Sequence, residues 1–374
     1  MLEQESGSAK PAATPPPTPT LEVDGKTAAI LPGDNILQTA RRAGAYVPSL
    51  CYDERLASYG SCRLCLVKVN GRLVASCTLK AEHGMRIETA DDEIRTLRKG
   101  IAEMVLSLLP EPAIADCPKC RHEGLCELHQ VAREVGAGDG RFTGRAGGAF
   151  KEDVNPFLGR NYERCINCYR CVRICDEIEG DNAITAKGRG FGSTIATWMD
   201  GALEDSSCEF CGQCIHTCPT GALFDKKMFA KKPADLLADE IQHVDTICPY
   251  CGTGCGLTLE TARGKLLGSL PRFTAPASEG ALCVKGQWGV DFIESKERLT
   301  TPLIKKSDGT FREATWDEAL DLVATKLTQV KNDHGGDAFA GWASARTTSE
   351  SNYLLMKFVR GVMGTNNIDN CQRT

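Results

Sequence analysis

Nineteen of the 20 cysteines in this 374-residue chain fall into five tight groups, and only Cys371 stands apart. The groups are Cys51, Cys62, Cys65 and Cys77; Cys117, Cys120 and Cys126; Cys165, Cys168, Cys171 and Cys175; Cys208, Cys211, Cys214 and Cys218; and Cys248, Cys251, Cys255 and Cys283. Thiolates bind soft iron, and cysteines two residues apart on a tight loop converge on one cluster. The chemistry implied is electron transfer. A disulfide framework belongs mainly to short secreted domains, whereas this chain is long and opens without an apolar signal segment. Zinc also takes C-x2-C pairs but prefers two separated pairs, and two consecutive C-x2-C-x2-C-x3-C runs point to iron–sulfur clusters.

Each spacing narrows the cluster type. The first group reads C-x10-C-x2-C-x11-C, with Gly60-Ser61 allowing close backbone approach, and is expected to hold a [2Fe–2S] cluster. Its first gap exceeds the four-residue gap of plant-type ferredoxins, which places it in a related subclass. The second group has three cysteines, so a [4Fe–4S] cluster there needs a fourth ligand; His122 and His129 are the candidates, against the alternative that both are surface histidines. The third and fourth groups repeat one spacing, the pattern of a two-cluster ferredoxin, in which the last cysteine of each run serves the other cluster. That rule assigns Cys165, Cys168, Cys171 and Cys218 to one [4Fe–4S] cube and Cys208, Cys211, Cys214 and Cys175 to the other. His216 reads as a solvated or backbone-bonded residue, not a ligand. The fifth group, C-x2-C-x3-C-x27-C, is followed by Val284-Lys285-Gly286, which suggests a bridge to a second redox centre. Its Cys251-Gly252-Thr253-Gly254-Cys255-Gly256 stretch is no nucleotide fingerprint, because the strand–loop–helix context is missing.

These loops need elements to hold them. Leu21-Glu22-Val23 and Ala28-Ala29-Ile30 flank Asp24-Gly25, a hairpin signal, and a short helix is expected over Ile36 to Gly44. Ile94, Leu97, Ile101, Val105 and Leu108 recur at helical spacing. Thr315-Trp316-Asp317-Glu318 is a capping box before Leu320, Val323, Leu327 and Val330, with Gly335-Gly336 as the stop. A strand over 338–342 and a helix over 349–362 should follow, the start of an α/β domain. The first 19 residues, rich in Pro, Ala, Thr and Ser, read as a disordered leader. With 44 basic and 49 acidic residues the net charge is −5; no basic block could follow a phosphate backbone, so nucleic acid is not an expected partner. No apolar run approaches the ~20 residues of a membrane span. A cytoplasmic protein is expected.

The order of modules resembles the catalytic alpha subunit of cytoplasmic, NAD-linked formate dehydrogenases of the molybdenum or tungsten bis-pterin family. The N-terminal half is also similar to the large iron–sulfur subunit of respiratory NADH dehydrogenase and to iron-only hydrogenases. Two complete ferredoxin runs, the Cys248–Cys283 group with Lys285, and the stretches Gly341-Trp342-Ala343-Ser344-Ala345-Arg346 and Gly364-Thr365-Asn366-Asn367-Ile368-Asp369-Asn370-Cys371 carry the likeness to formate dehydrogenase. The resemblance implies formate oxidation to CO2 at a molybdenum or tungsten bis-molybdopterin guanine dinucleotide centre in the full-length subunit. It also implies an electron relay at Lys285, one [2Fe–2S] and up to four [4Fe–4S] clusters, and a flavin- and NAD-binding, diaphorase-like partner. In related families a histidine four residues before the first cysteine of the second group is a ligand; here that position is Ala113. The expected metal ligand, selenocysteine or cysteine, would fall at position 375, so the catalytic residue is expected to lie just beyond Thr374, consistent with a UGA codon read as a stop. These 374 residues alone are then expected to be inactive toward formate. The rival is a non-catalytic iron–sulfur subunit of a hydrogenase or NADH dehydrogenase-type complex.

The expected architecture is α+β and multidomain. After the leader come a β-grasp [2Fe–2S] ferredoxin-like domain (20–96), a helical [4Fe–4S] segment (97–150) and a two-cluster ferredoxin domain (151–230). A molybdopterin-oxidoreductase [4Fe–4S] domain (243–300) and an incomplete α/β domain (301–374) complete the chain.

Overall fold

The computed structural model describes residues 18–109, 120, 126–138, 141–144, 148–232, 236 and 238–371. Cys117, His122, Ala113 and all but the last two residues of the expected leader lie outside them. The chain divides into two compact units. The first runs to Glu152 and adds Arg160–Ser206 and Thr217–Leu223; the second comprises Asp153–Gly159, Ser207–His216 and everything from Phe224.

The first unit opens on strands β1 (Thr20–Val23) and β2 (Lys26–Ala29). Asp24 and Gly25 both take positive φ, 48° and 81°, as a two-residue turn matched to strand twist requires. Asn70 and Gly71 repeat the device, with φ of 48° and 82°, between β3 (Leu66–Val69) and β4 (Arg72–Ala75). With β5 (Arg86–Glu88) these form one sheet in the order β2-β1-β5-β3-β4. Only the β1–β5 pair is parallel. Helix α1 (Ile36–Arg42) starts at a capping box of Asn35 and Gln38. Its Ile36, Leu37 and Ala40 join Leu21, Val23, Val67 and Ile87 in a core that also contains Cys65 and Cys77. Two cysteines of the first group are thus core residues of this sheet.

Asp34, one residue before that cap, is buried and accepts hydrogen bonds from the Leu31 N–H (2.8 Å) and the Thr39 hydroxyl (3.1 Å), and pairs with Arg42. Burial alone would raise its carboxyl, but the bonds from Arg42, Leu31 and Thr39 outweigh that and hold it below the usual aspartate value. The stability it contributes is present above the unfolded pKa of about 4 and is lost as pH falls through the lower folded value. Asp34→Asn should therefore cost about 2 kcal/mol at neutral pH and flatten the acid limb of a urea-unfolding series. An unchanged urea midpoint at pH 7 would show that the contact contributes nothing.

Helix α2 (Asp92–Leu106), capped by Asp91, runs across residues 96 and 97, where the sequence suggested a domain boundary. Its Ala102 and Leu106 pack with Leu50 and Leu64 of the cysteine loop and with Leu128, Val131 and Ala132 of α3 (Glu127–Glu134). The cysteine loop, α2 and α3 share this core. The rest of the unit pairs β6 (Phe150–Lys151) with β7 (Leu158–Asn161) and carries α4 (Arg170–Glu177). A hairpin of β8 (Thr185–Lys187) and β9 (Thr194–Ala196) follows.

The short helix α5 (Gln213–Thr217) follows the fourth cysteine loop, β10 (Leu223–Asp225) leads into α6 (Lys226–Lys231), and the second unit continues from there. An antiparallel meander then forms from β11 (Gln242–Ile247), β12 (Gly256–Ala262) and β13 (Lys265–Pro271). Helix α7 (Val284–Trp288) begins directly after Cys283. The hairpin β14 (Leu303–Lys305) and β15 (Phe311–Glu313) precedes α8 (Trp316–His334), which starts where the Thr315 hydroxyl accepts from the Glu318 N–H. The expected strand over 338–342 forms later, as β16 (Gly341–Ala343), after a 3-10 turn. The expected final helix is α9 (Ser349–Lys357) continued by a π-helical turn, Phe358–Met363. Strand β17 (Ile368–Asn370) pairs with β16 in parallel. Trp316, Leu320 and Val323 on α8 stay more than half exposed, because the described part of this domain supplies only two small two-stranded sheets. Among the described residues no helix is long and apolar enough to cross a membrane.

Candidate iron–sulfur centres

In the first group Cys51, Cys65 and Cys77 are fully buried and Cys62 is half-buried. The Cys65 and Cys77 sulfurs stand 3.3 Å apart, and the Cys62 N–H points at the Cys51 sulfur at 3.5 Å. Hydrogen bonding from Cys62, then from Cys77, drives the Cys51 thiol far below its ordinary value, and the same contacts push Cys62 and Cys77 up. Cys77 likewise lowers Cys65 to about 6. Four sulfurs sharing too few protons in a dry core are a donor set suited to a soft cation centre. Gly60 (φ 75°) passes so close that a Cβ there would lie 2.7 Å from the Thr78 methyl.

Of the second group, the structure brings Cys120, Cys126 and His129 together, with their donor atoms all within 4.8 Å of one another. Cys117 and His122 fall outside the described residues.

The third and fourth groups share a backbone as well as a spacing. Asn167 and Tyr169 flank Cys168 with φ of 53° and 57°; Phe210 and Gly212 flank Cys211 with φ of 54° and 80°. In each loop the residue before the second cysteine turns its N–H to the first sulfur, Asn167 to Cys165 and Phe210 to Cys208, at 3.4 Å in both. Left-handed residues on either side of a cysteine aim successive N–H groups inward, a concavity that favours anionic sulfur. Tyr169 and Phe210 bear the cost of a conformation that bulky residues avoid. At Gly212 a Cβ would also lie 2.9 Å from Gln287 Cγ.

Cys165, Cys168, Cys171 and Cys218 line one cavity with Tyr162, Ile195, Pro219 and Leu223. Burial in it pushes the Cys165 thiol up to about 12 and Cys168 further. Cys175, on α4 in the first unit, is raised by burial and faces the N–H groups of Ala183 and Ile184. Cys208, Cys211 and Cys214 belong to the second unit. His216 is hydrogen-bonded to a side chain, its Nε2 2.9 Å from Gln287 Oε1, where the sequence suggested solvent or backbone.

Cys248, Cys251, Cys255 and Cys283 line a cleft with Lys285, Gly286, Arg346 and Cys371. Burial raises Cys248 and Cys255. The Thr253 hydroxyl, with its N–H and then Lys285 and Arg346, lowers Cys251. Cys371 is exposed and lowered by the Ala345 N–H first and then by Ser344. The parallel β16–β17 pair places Ser344–Arg346 and Cys371 at one end, which is why Cys371 reaches this cleft.

Sequence profiles match consecutive stretches of the chain. One for the 2Fe-2S iron-sulfur cluster binding domain covers residues 18–92, and one for the ferredoxin-like domain of NADH-quinone oxidoreductase subunit 3 covers 155–224. The molybdopterin oxidoreductase Fe4S4 domain matches 241–295, and molybdopterin oxidoreductase itself matches 298–374. The C-terminal part of the chain thus carries molybdopterin oxidoreductase domains, and the part before it carries 2Fe-2S and ferredoxin-like iron–sulfur domains of the electron-transfer type. The chain is 35% identical to an NADH-quinone oxidoreductase subunit of Rhizobium meliloti over 93% of this chain and 39% of that one. It is 30% identical to the putative formate dehydrogenase SH0748 of Staphylococcus haemolyticus over 94% of this chain and 39% of that one. The chain thus spans about two-fifths of the length of these curated relatives. In a crystal structure of an NAD+-reducing [NiFe]-hydrogenase, one chain is similar at a TM-score of 0.52 and 30% identity, over 57% of this chain and 90% of that one.

Sequence spacing found the cysteines of this oxidoreductase but missed the side chains that join their loops. Arg173, between the ligand-pattern residues Cys171 and Cys175, donates to the Cys51 carbonyl at 2.6 Å, 122 residues away, and to that of Ala57. Glu177 accepts from the Ala57 N–H at 2.7 Å, and Arg170 binds Glu127 of α3 at 2.7 Å. Thr217, beside Cys218, donates to Asp53, two residues after Cys51, at 2.7 Å. Helix α4 thereby fastens the first, second and third cysteine groups to one another. No sequence signal marks such contacts.

Proposed function

We propose that the chain is the N-terminal, electron-transfer portion of the alpha subunit of an NAD-linked formate dehydrogenase. The observation that carries this reading is the cleft where four cysteines meet Lys285, Arg346 and Cys371. The two stretches that resemble formate dehydrogenases, 341–346 and 364–371, both end beside that cysteine group. Cys51, Cys62, Cys65 and Cys77 would hold a [2Fe–2S] cluster. Cys165, Cys168, Cys171 and Cys218 would hold one [4Fe–4S] cluster, Cys208, Cys211, Cys214 and Cys175 a second, and Cys248, Cys251, Cys255 and Cys283 a third. The clusters supply one-electron carriers, and a molybdenum or tungsten bis-pterin in the full-length subunit supplies the two-electron chemistry of formate and CO2.

The chain's own contribution is placement. Buried thiols such as Cys65, Cys77, Cys168 and Cys171 would set their clusters in dry surroundings, backbone N–H groups point at sulfur at Cys165 and Cys208, and both features tune potential. Lys285, an exposed cation beside the Cys248 group, would serve as the relay toward the pterin. A flavin- and NAD-binding iron–sulfur subunit would take the electrons. Nineteen thiols kept reduced suit the cytoplasm.

The Rhizobium relative favours a second reading, a non-catalytic iron–sulfur subunit of the NADH dehydrogenase type. Protein made from the full gene separates them. Molybdenum or tungsten with pterin, and formate-dependent reduction of NAD+ or a viologen, are expected. Iron alone with no response to formate would sink the first reading in favour of the second.

A further inference from the structure

We propose that His129 is a cluster ligand, through Nδ1, together with Cys120 and Cys126. This inference rests on the iron–sulfur reading above. Nδ1 lies 3.0 Å from the Cys120 sulfur and 3.3 Å from the Cys126 sulfur. The ring is buried, at 6% exposure. Ordinary surface histidines have neither property, and the three donor atoms lie within 4.8 Å of one another.

The helix explains the arrangement. Cys126 is the N-cap of α3 and His129 is its third residue, two positions whose side chains lean toward each other at a helix start, as in a capping box. The Cys126 N–H in turn points at the Cys120 sulfur at 3.4 Å. The helix N-terminus carries partial positive charge, which favours thiolate at the cap. The start of α3 is also held from outside, because the Leu128 N–H donates to the Pro219 carbonyl at 3.2 Å and Glu127 pairs with Arg170. Pro219 follows a cysteine of the third-group cavity, so the histidine is carried on a helix anchored to a neighbouring cluster loop.

Ligation through Nδ1 leaves the proton on Nε2 and keeps the imidazole neutral. A neutral nitrogen in place of a thiolate makes the centre one charge less negative, and so raises its reduction potential relative to an all-cysteine cluster. The centre at the second group is therefore set apart from its neighbours by charge.

The test uses the full chain, loaded and handled without oxygen, with 15N-labelled histidine and pulsed EPR of the reduced clusters. Wild type should show imidazole nitrogen coupling on one cluster, absent in His129→Cys and His129→Ala. His129→Cys should keep its iron while the potential of that one cluster falls; His129→Ala should lose about four irons per chain. Signals of the other clusters should not change. Nitrogen coupling that survives in His129→Cys would overturn the proposal, as would wild-type iron and potentials in His129→Ala, or zinc in place of iron at this group. In each of those outcomes the remaining cluster signals leave the broader reading standing. A wild-type chain with no cluster signals would overturn both.

Discussion

Cys168→Ala is expected to remove one entire [4Fe–4S] cluster, lowering iron and acid-labile sulfide by about four per chain. Cys168 is buried between two left-handed residues, Asn167 and Tyr169, and its loop has no freedom to offer another donor without giving up that conformation. Besides the cysteines assigned to the same centre the cavity is lined mainly by apolar side chains, and the hydroxyls of Tyr169 and Thr220 are hydrogen-bonded to Ser193 and to the Arg164 carbonyl. The pH dependence follows from the same burial. Because burial raises Cys165 to about 12 and Cys168 further, protons compete strongly with iron for these sulfurs. Release of the cluster should steepen as pH falls, by up to about tenfold per pH unit for each thiolate that must be protonated. Iron analysis after gel filtration across a pH series reads both effects. Unchanged iron in Cys168→Ala, or release that is insensitive to pH, would show that this group holds no thiolate-ligated cluster.

Short-range patterns in the sequence were legible because local physics decides them. Asp24-Gly25 makes its hairpin and Thr315 caps its helix whatever surrounds them, and the repeated cysteine spacing reappears as repeated backbone angles at Asn167, Tyr169, Phe210 and Gly212. Asn70-Gly71 carried an equally strong hairpin signal that the cysteine pattern overshadowed. Helix periodicity could not show that α2 shares its core with both Leu64 and Leu128. Arg173 and Arg170 were invisible for a related reason. Their partners lie in distant loops, and a charged residue near a cysteine looks the same whether it faces solvent or joins two cluster loops. Cys371 looked isolated in sequence because its neighbours are brought to it by a parallel strand pair, which only tertiary structure creates.

The second large effect is expected at a buried ion pair in the other unit. Lys232 Nζ and Glu260 Oε2 are 3.0 Å apart, with side-chain exposures of 1% and 6%. Lys232 closes α6, and Glu260 lies at the bulge of β12, where His243 reaches its other oxygen at 3.1 Å. Strand β12 begins one residue after Cys255, so the pair ties the end of α6 to the strand that follows this cysteine. Glu260→Ala leaves a desolvated ammonium without its carboxylate and should cost about 3–5 kcal/mol in urea unfolding of the loaded chain. The double variant Lys232→Met with Glu260→Leu removes both charges, and should recover most of that loss or exceed wild type by up to about 4 kcal/mol. A single-variant loss below about 1 kcal/mol would place the pair in the range of solvent-exposed bridges. Iron in the Cys248 group discriminates further. If the charges serve only to hold β12 in place, the double variant keeps this cluster while Glu260→Ala loses it, because the apolar pair fills the same interior and leaves Cys255 where the sheet puts it.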